Sequence, residues 1–401
     1  MFLEKFARFI RRIPYKSNAI LGLLLAAEIL LPLMAQNQSP QPSTQQNPNA
    51  QAPPPEAGGP GGDVGPYAVP KKKEEPPPPP PEKPKKIEGM PDYSIAVDVP
   101  LVNVDVSVLT KDGQFVPGLR KDNFRVLEDG VPQQIRNFSQ SEAPITAVLL
   151  VEFASTNYYF LYDALNASYN FASSLKKEDW VAVEYYDMKP HILVDFTQDK
   201  GAIMGALNTL RIPGFSETNL FDALYDTLDR LDRVEGRKYI ILISTGVDTF
   251  SKLNLDQILK KVKSTHNVTI YPVGIGRALR EWFEARGGTA PHGVAPIANI
   301  DYLQADNEMS TFARLTGGRA YFPRFEGELP GIFHDIAADI RNQYVLAYHP
   351  TNAKLDGTYR KLKVELVAPG GGPLKVKDQK GKDVKVQIVA REGYTAKHTV
   401  E

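Results

Sequence analysis

Buried-strand and helix patterns alternate through the middle of the chain. Continuous apolar runs at residues 145–153, 239–244 and 268–274 are typical of strands covered on both faces. Further strand patterns lie at residues 180–186, 191–196 and 320–322. Apolar side chains at helical spacing occupy residues 162–175, 220–231, 255–263, 309–315 and 332–340. This order predicts an α/β unit, a doubly wound and mostly parallel sheet with helices on both faces.

The two flanks of this unit have a different pattern. Apolar and polar residues alternate with period two at 93–109, 124–127, 135–138, 344–348, 361–367 and 384–389. We expect one β-sandwich assembled from both flanks, with the α/β unit inserted into it. Two separate β pieces are the alternative.

The first ninety residues predict no folded unit. Basic residues precede an apolar run at 19–35, so residues 1–36 are interpreted as a signal peptide or N-terminal anchor, with a buried helix of a cytosolic domain as the alternative. Residues 37–91 hold about half of the chain's 33 prolines and predict a disordered linker. The folded part then divides into a β segment at 92–141, the α/β domain at 142–341 and a β segment at 342–397.

Composition and motifs exclude several function classes. Lys and Arg together number 47, as do Asp and Glu, so no net field favours nucleic acid as a partner. Cysteine is absent, which excludes disulfides and thiolate sites. No HExxH zinc motif, nucleophile elbow or P-loop occurs, so we expect a protein that is not an enzyme.

Three segments carry the candidate site: residues 146–156 (TAVLLVEFAST), 214–224 (GFSETNLFDAL) and 238–248 (KYIILISTGVD). Loops at the carboxyl edge of neighbouring parallel strands converge on one crevice, where ligands usually bind. This layout resembles a von Willebrand factor type A domain. Residues 115–138 (FVPGLRKDNFRVLEDGVPQQIRNF) and 343–366 (QYVLAYHPTNAKLDGTYRKLKVEL) are similar to the flanks of an exported family related to that domain and known from acidobacteria.

The resemblance implies a metal-ion-dependent adhesion site, with Asp-x-Ser-x-Ser in the first loop, Thr in the second and Asp in the third. Here Glu152 replaces the first Asp, Ala154 removes a hydroxyl, and Thr245 stands where the third-loop Asp belongs. The candidate ligands of this degenerate site are Glu152, Thr156, Thr218 and Asp248. Mg²⁺ is the candidate ion, and no other cofactor is expected. The alternative is structural: Thr156 and Thr218 cap helices, and Glu152 faces a helix dipole.

The same loops hold aromatic residues suited to a protein interface. The predicted partner-binding edge comprises Ser155, Tyr158, Phe215, Ser216, Thr218, Thr245 and Phe250. The alternative to an exposed aromatic edge is that Phe160 and Phe250 pack inward. Residues 277–299 predict a long loop, which is either functional or disordered. We expect an extracytoplasmic binding module for a protein or peptide, touching the membrane only through its N-terminal segment. The alternative is a structural component of the cell envelope with an inert A domain.

Overall fold

The computed structural model describes residues 101–140, 143–285, 299–377 and 381–396. The chain divides into Met1–Met90 and Pro91–Glu401, and every described residue belongs to the second unit. The predicted signal peptide or anchor, the proline-rich linker and most of the predicted loop at 277–299 therefore lie outside the described residues. Within the described ranges, no helix combines the length and the apolar character that a membrane crossing needs.

The α/β unit is built on a five-stranded sheet. Its strands are β5 (Ile145–Glu152), β6 (Trp180–Tyr186), β7 (Pro190–Thr197), β8 (Arg237–Ser244) and β9 (Val268–Gly274). They lie in the order β7-β6-β5-β8-β9, and every pair is parallel except the β6–β7 hairpin. All eight residues of β5 are buried, because the strand is central and covered on both faces.

Helices cover both faces of this sheet. They are α1 (Tyr158–Ser174), α2 (Lys200–Leu207), α3 (Leu220–Asp232), α4 (Leu255–Ser264), α5 (Gly276–Ala285), α6 (Asn299–Thr316) and α7 (Leu329–Arg341). Alternate residues of β5 enter opposite cores: Leu149 packs with α1, α2, α5 and α7, whereas Leu150 packs with α3, α4 and α6. The predicted doubly wound, mostly parallel architecture is confirmed.

Three details differ from the sequence expectation. Residues 276–285 form helix α5, although residues 277–299 were expected to be a loop. Helix α2 was not expected, and its N-cap Asp199 accepts hydrogen bonds from the Gly201 and Ala202 amides. The sixth strand at 320–322 is reduced to one parallel bridge between Val273 and Tyr321.

The flanking strands form two four-stranded antiparallel sheets around one hydrophobic core. Their strands are β1 (Val102–Thr110), β2 (Phe124–Glu128), β3 (Val131–Gln133), β4 (Ile135–Gln140), β10 (Tyr344–Tyr348), β11 (Tyr359–Leu366), β14 (Val386–Ala390) and β15 (Gly393–Thr395). A separate hairpin pairs β12 (Val376–Lys377) with β13 (Asp383–Val384). One sheet has the order β14-β1-β10-β4 and the other β15-β11-β2-β3. Both flanks contribute to each sheet, which is the arrangement expected of a single sandwich.

The α/β unit is inserted between two neighbouring strands of the sandwich. Strand β4 leads into it and β10 leads out of it, and these two strands pair antiparallel from Gln140↔Tyr344 to Ile135↔Tyr348. The two attachment points of the inserted unit are therefore next to each other.

A buried polar cluster lies inside the sandwich. Glu128 Oε2 accepts hydrogen bonds from the Tyr348 hydroxyl at 2.6 Å and from the Tyr394 hydroxyl at 2.9 Å. Its Oε1 accepts a bond from Arg360 Nη1 at 3.2 Å, and both side chains of this ion pair are no more than 3% exposed. Glu128 is the last residue of β2, and its partners lie more than two hundred residues away along the chain.

Candidate functional site

Three loops meet at the carboxyl ends of β5 and β8. The Ser155 amide donates to the Phe215 carbonyl at 2.7 Å, which joins the first loop to the second. The amides of Thr249 and Phe250 donate to the Thr218 carbonyl at 3.0 and 2.8 Å, which joins the second loop to the third. The structure thus brings together the three segments that the sequence singled out.

Glu152 is the central side chain beneath these loops, and it is 0% exposed. Its Oε2 accepts hydrogen bonds from the Ser244 hydroxyl and the Thr245 amide, both at 2.7 Å. The Thr245 hydroxyl donates to the same carboxylate at 2.9 Å. These bonds connect the ends of β5 and β8, which are neighbours in the sheet.

A second layer of bonds extends this network. Ser244 Oγ accepts from the Tyr186 hydroxyl and from the Gly246 amide, both at 2.7 Å. Gly246 has φ +80°, and a Cβ there would lie 2.8 Å from the Met309 side chain. The third loop therefore needs glycine at this position to turn tightly over the network.

Burial raises the pKa of Glu152, and the hydrogen bonds from Ser244 and Thr245 oppose that shift. The pKa of Tyr186 is raised well above its usual range, first by burial and then by the neighbouring Glu152 carboxylate. In both groups, burial disfavours the charged form of the side chain.

Asp248 and Thr218 are engaged elsewhere. Asp248 Oδ1 accepts from the Phe221 amide at 3.2 Å and from the Ser251 hydroxyl at 2.5 Å, so it caps helix α3 from another loop. The Thr218 hydroxyl donates to the Val247 carbonyl at 2.6 Å. The N-cap residues of α1 and α3 are Asn157 and Asn219, and neither makes a side-chain capping bond. The expectation that Thr156 and Thr218 cap these helices is therefore wrong.

These residues do not fit a divalent cation. Mg²⁺ needs near-octahedral oxygen ligands with free lone pairs facing one point. Both Glu152 oxygens already accept bonds from loop hydroxyls and an amide, and Asp248 is tied to the start of α3. Within the described residues, no group of three or more His, Cys, Asp or Glu side chains is placed to hold a metal ion.

We predict that divalent cations leave the stability of the protein unchanged. The melting temperature of the full chain should be the same with and without millimolar Mg²⁺ or Mn²⁺, because a ligand stabilises only a fold that binds it. Differential scanning fluorimetry after dialysis against a chelator measures this. A rise of several degrees that is lost in a Glu152→Gln variant would contradict the prediction.

The exposed part of the edge is aromatic. Tyr158, Phe215 and Phe250 are 46%, 48% and 50% exposed, whereas Phe160 is buried. Ser155 and Ser216 are partly exposed beside them. Thr218 and Thr245 are 3% and 1% exposed, so their predicted place on the partner-binding surface is wrong. Their hydroxyls are used inside the loops, as described above.

A neighbouring groove of about 660 Å³, which the sequence does not predict, lies between α1 and the region of α2. Tyr158, Tyr159 and Tyr162 line it together with Met204 and Ile212, and Tyr162 and Ile212 are 73% and 77% exposed. The tyrosines at positions 158 and 162 are one helical turn apart. That spacing indicates that the two tyrosines share one face of the helix, but it does not distinguish an exposed face from a buried one.

Comparisons with known proteins agree with this geometry. Residues 154–289, about a third of the chain, match the family model of the von Willebrand factor type A domain. The comparison with curated proteins gives no match.

Several solved structures are similar over part of the chain. One is the vWF domain of the type V pili tip protein Mfa5 from Porphyromonas gingivalis, with 14% identity over 50% of this chain and 96% of that one and a TM-score of 0.34. Another is a von Willebrand factor type A protein from Catenulispora acidiphila, with 10% identity over 74% of each chain and a TM-score of 0.39. A mutant of the PilB minor pilin from Streptococcus sanguinis gives 10% identity over 51% of this chain and 62% of that one, with a TM-score of 0.37.

These scores are too low to bear on function. The family match and the parallel sheet with helices on both faces identify the central unit. The central unit therefore has the α/β fold of the von Willebrand factor type A domain, and it is inserted into a β-sandwich.

Proposed function

We propose that the protein is an exported, non-catalytic binding module that holds a protein or peptide partner at the aromatic edge of its A domain. The observation that carries this proposal is the exposure of Tyr158, Phe215 and Phe250, each close to half exposed. Tyr158 begins helix α1, and Phe215 and Phe250 lie on loops that hydrogen-bond to one another. Large aromatic side chains that are free to be desolvated supply much of the binding energy of protein interfaces.

The buried network under these loops supports the same proposal. Glu152 fixes the third loop through Ser244 and Thr245, and Thr218 fixes it to the second loop. Loops that are already ordered lose little conformational entropy when a partner binds. We infer that hydrogen bonds within the chain do here what a metal ion does in an intact adhesion site, so partner binding is independent of divalent cations.

A catalytic role has little support at this edge. The central carboxylate, that of Glu152, is fully buried and its two oxygens are engaged, so no substrate atom can reach it. A general acid or base must lie within hydrogen-bonding reach of the reacting group.

The sequence of the first 91 residues supports export. A basic segment followed by an apolar run and a proline-rich tract favours an extracytoplasmic position, in the envelope or outside the cell. The similarity of residues 115–138 and 343–366 to the flanks of exported proteins related to the A domain supports the same location.

The test is capture of a partner by the immobilised full chain from an envelope extract of the source cells. We expect a saturable partner. Its recovery should fall at least tenfold in the double variant Phe215→Ser/Phe250→Ser, because that variant loses two side chains that each contribute at most a few kcal/mol to the binding free energy. Recovery should be unchanged by a chelator.

Trp180→Ser is the matched control. Trp180 is 43% exposed, but it lies at the start of β6, at the opposite edge of the sheet. Its loss should leave recovery unchanged. Equal recovery by the wild type and the Phe215/Phe250 double variant would refute binding at this edge and favour a structural envelope component.

A further inference from the structure

A second cavity lies where the sandwich meets the A domain. It is beside the start of β9, whereas the aromatic edge lies at the carboxyl ends of the strands. It has a volume of about 130 Å³ and lies among the start of β1, the turn between α4 and β9, and the segment between β10 and β11. Two arginines, Arg360 and Arg391, line it together with apolar side chains that include Pro350, Leu355 and Ala396. Nothing in the proposed binding function uses it.

Arg391 is a buried cation, and the carboxylate whose charge attracts it, that of Asp105, forms its ion pair with Arg237 instead. Its side chain donates from Nε to the Gly393 carbonyl at 2.9 Å and from Nη2 to the Thr265 carbonyl at 3.4 Å. Among the described residues, it forms no ion pair with a carboxylate. The residue is 8% exposed, and burial lowers its pKa. A buried guanidinium without a counter-charge is costly, because neutral carbonyls replace its hydration only in part.

Arg360 is satisfied only in part. It bonds Glu128 at 3.2 Å and the Asn352 carbonyl at 2.6 Å, and it also donates to the Lys354 carbonyl. Its Nε is buried without a hydrogen-bond acceptor. Glu128 pairs with Arg360 and Asp105 pairs with Arg237, so among the described residues Arg391 has no ion-pair partner of its own.

The lining also indicates the kind of anion that fits. None of the described lining residues is acidic, so a negative group would meet no repulsion at the cavity wall. Guanidinium groups pair in fork geometry with carboxylates and phosphates. Three asparagines, a histidine and a tyrosine also line the cavity, but most of its accessible surface is apolar, which suits an aliphatic group better than phosphate. A carboxylate attached to a short aliphatic group matches both parts of the wall.

We propose that this cavity binds such a carboxylate, with Arg391 as its counter-charge and the apolar wall around its aliphatic part. The ligand is either a free short-chain acid or the carboxyl terminus of a polypeptide, which present the same chemistry. The proposal is independent of partner binding at the aromatic edge.

The test is thermal unfolding of the full chain with added n-butyrate, compared at equal ionic strength with chloride, phosphate and neutral butyramide. We expect butyrate to raise the melting temperature by about 3 °C or more near saturation, and the other additives to have no effect. A second arm compares a short peptide ending in a free leucine carboxylate with its amide. The carboxylate that raises the melting temperature more, butyrate or the peptide, shows whether a free acid or a chain terminus is the better ligand.

Two variants place the effect in this cavity. Arg391→Gln should abolish the response to butyrate. Because this buried change can also impair folding, Ala353→Glu provides a second route: Ala353 is exposed at the rim, and the new carboxylate should occupy the site and remove the response. Met204→Glu, at an exposed position of α2, is the matched control and should respond as the wild type does.

The proposal fails if butyrate and the peptide carboxylate leave the melting temperature unchanged, or if butyramide or phosphate raises it equally. It also fails if a folded Arg391→Gln or Ala353→Glu variant keeps the full response. None of these results bears on the aromatic edge, which a separate capture experiment tests.

Discussion

Replacing Glu128 by alanine should destabilise the protein by about 4 kcal/mol, because it leaves one member of a buried ion pair without its partner. The change removes the acceptor of the Tyr348 and Tyr394 hydroxyls and the carboxylate that faces Arg360. Thermal unfolding followed by circular dichroism should show a melting temperature lower by on the order of 10 °C.

Glu365→Ala is the control in the same sheet. Glu365 pairs with Arg125 on the surface, where water screens the charges, so its removal should lower the melting temperature much less. If the two variants melt at the same temperature, Glu128 does not hold the sandwich together in the way its contacts indicate.

Glu152→Ala should destabilise the A domain by about 3 kcal/mol, because buried donors lose their acceptor and a cavity replaces the carboxylate. The donors are the Ser244 and Thr245 hydroxyls and the Thr245 amide. Both tryptophans of the chain, Trp180 and Trp282, lie in the A domain, so urea unfolding followed by tryptophan fluorescence reports on that domain.

Glu152→Gln is the matched variant, and pH distinguishes its effect from simple loss of contacts. Burial raises the pKa of Glu152 above the ordinary value of 4.5, so the folded protein binds this proton more tightly than the unfolded chain does. The contribution of Glu152 to stability therefore falls as the pH rises above 4.5. The stability of the wild type should fall relative to that of the Gln variant over this range, and parallel pH profiles would show that Glu152 does not titrate as described.

The sequence correctly predicts those strands and helices whose hydrophobic pattern follows directly from their burial. Continuous apolar runs identify β5, β8 and β9, because a strand covered on both faces needs apolar residues at every position. Helix α5 escaped prediction although Leu279, Trp282 and Phe283 have helical spacing, since the glycines at 287 and 288 and the following prolines favoured a loop.

The candidate site was harder to predict, because its contacts are distant in sequence. Helix α3 takes its cap from Asp248 and Ser251, not from the adjacent Thr218, and Glu152 finds its donors 92 and 93 residues away. Local spacing rules describe hydrogen bonds within a few residues and are silent on those between loops. The parallel-sheet pattern correctly indicated which loops meet, but it did not indicate which hydroxyls bond inside them.

The insertion of the A domain between paired strands has a mechanical consequence. The chain enters the sandwich at β1 and leaves it at β15, and it passes into and out of the A domain through β4 and β10, whose ends Gln140 and Tyr344 face each other. Side-chain bonds such as that from Thr395 to the Lys263 carbonyl also join the two parts. A tensile force applied at the two ends of the sandwich is therefore borne by its own strands. The A domain is not stretched until β4 and β10 separate, so the loops at its aromatic edge keep their arrangement while the rest of the molecule is under load.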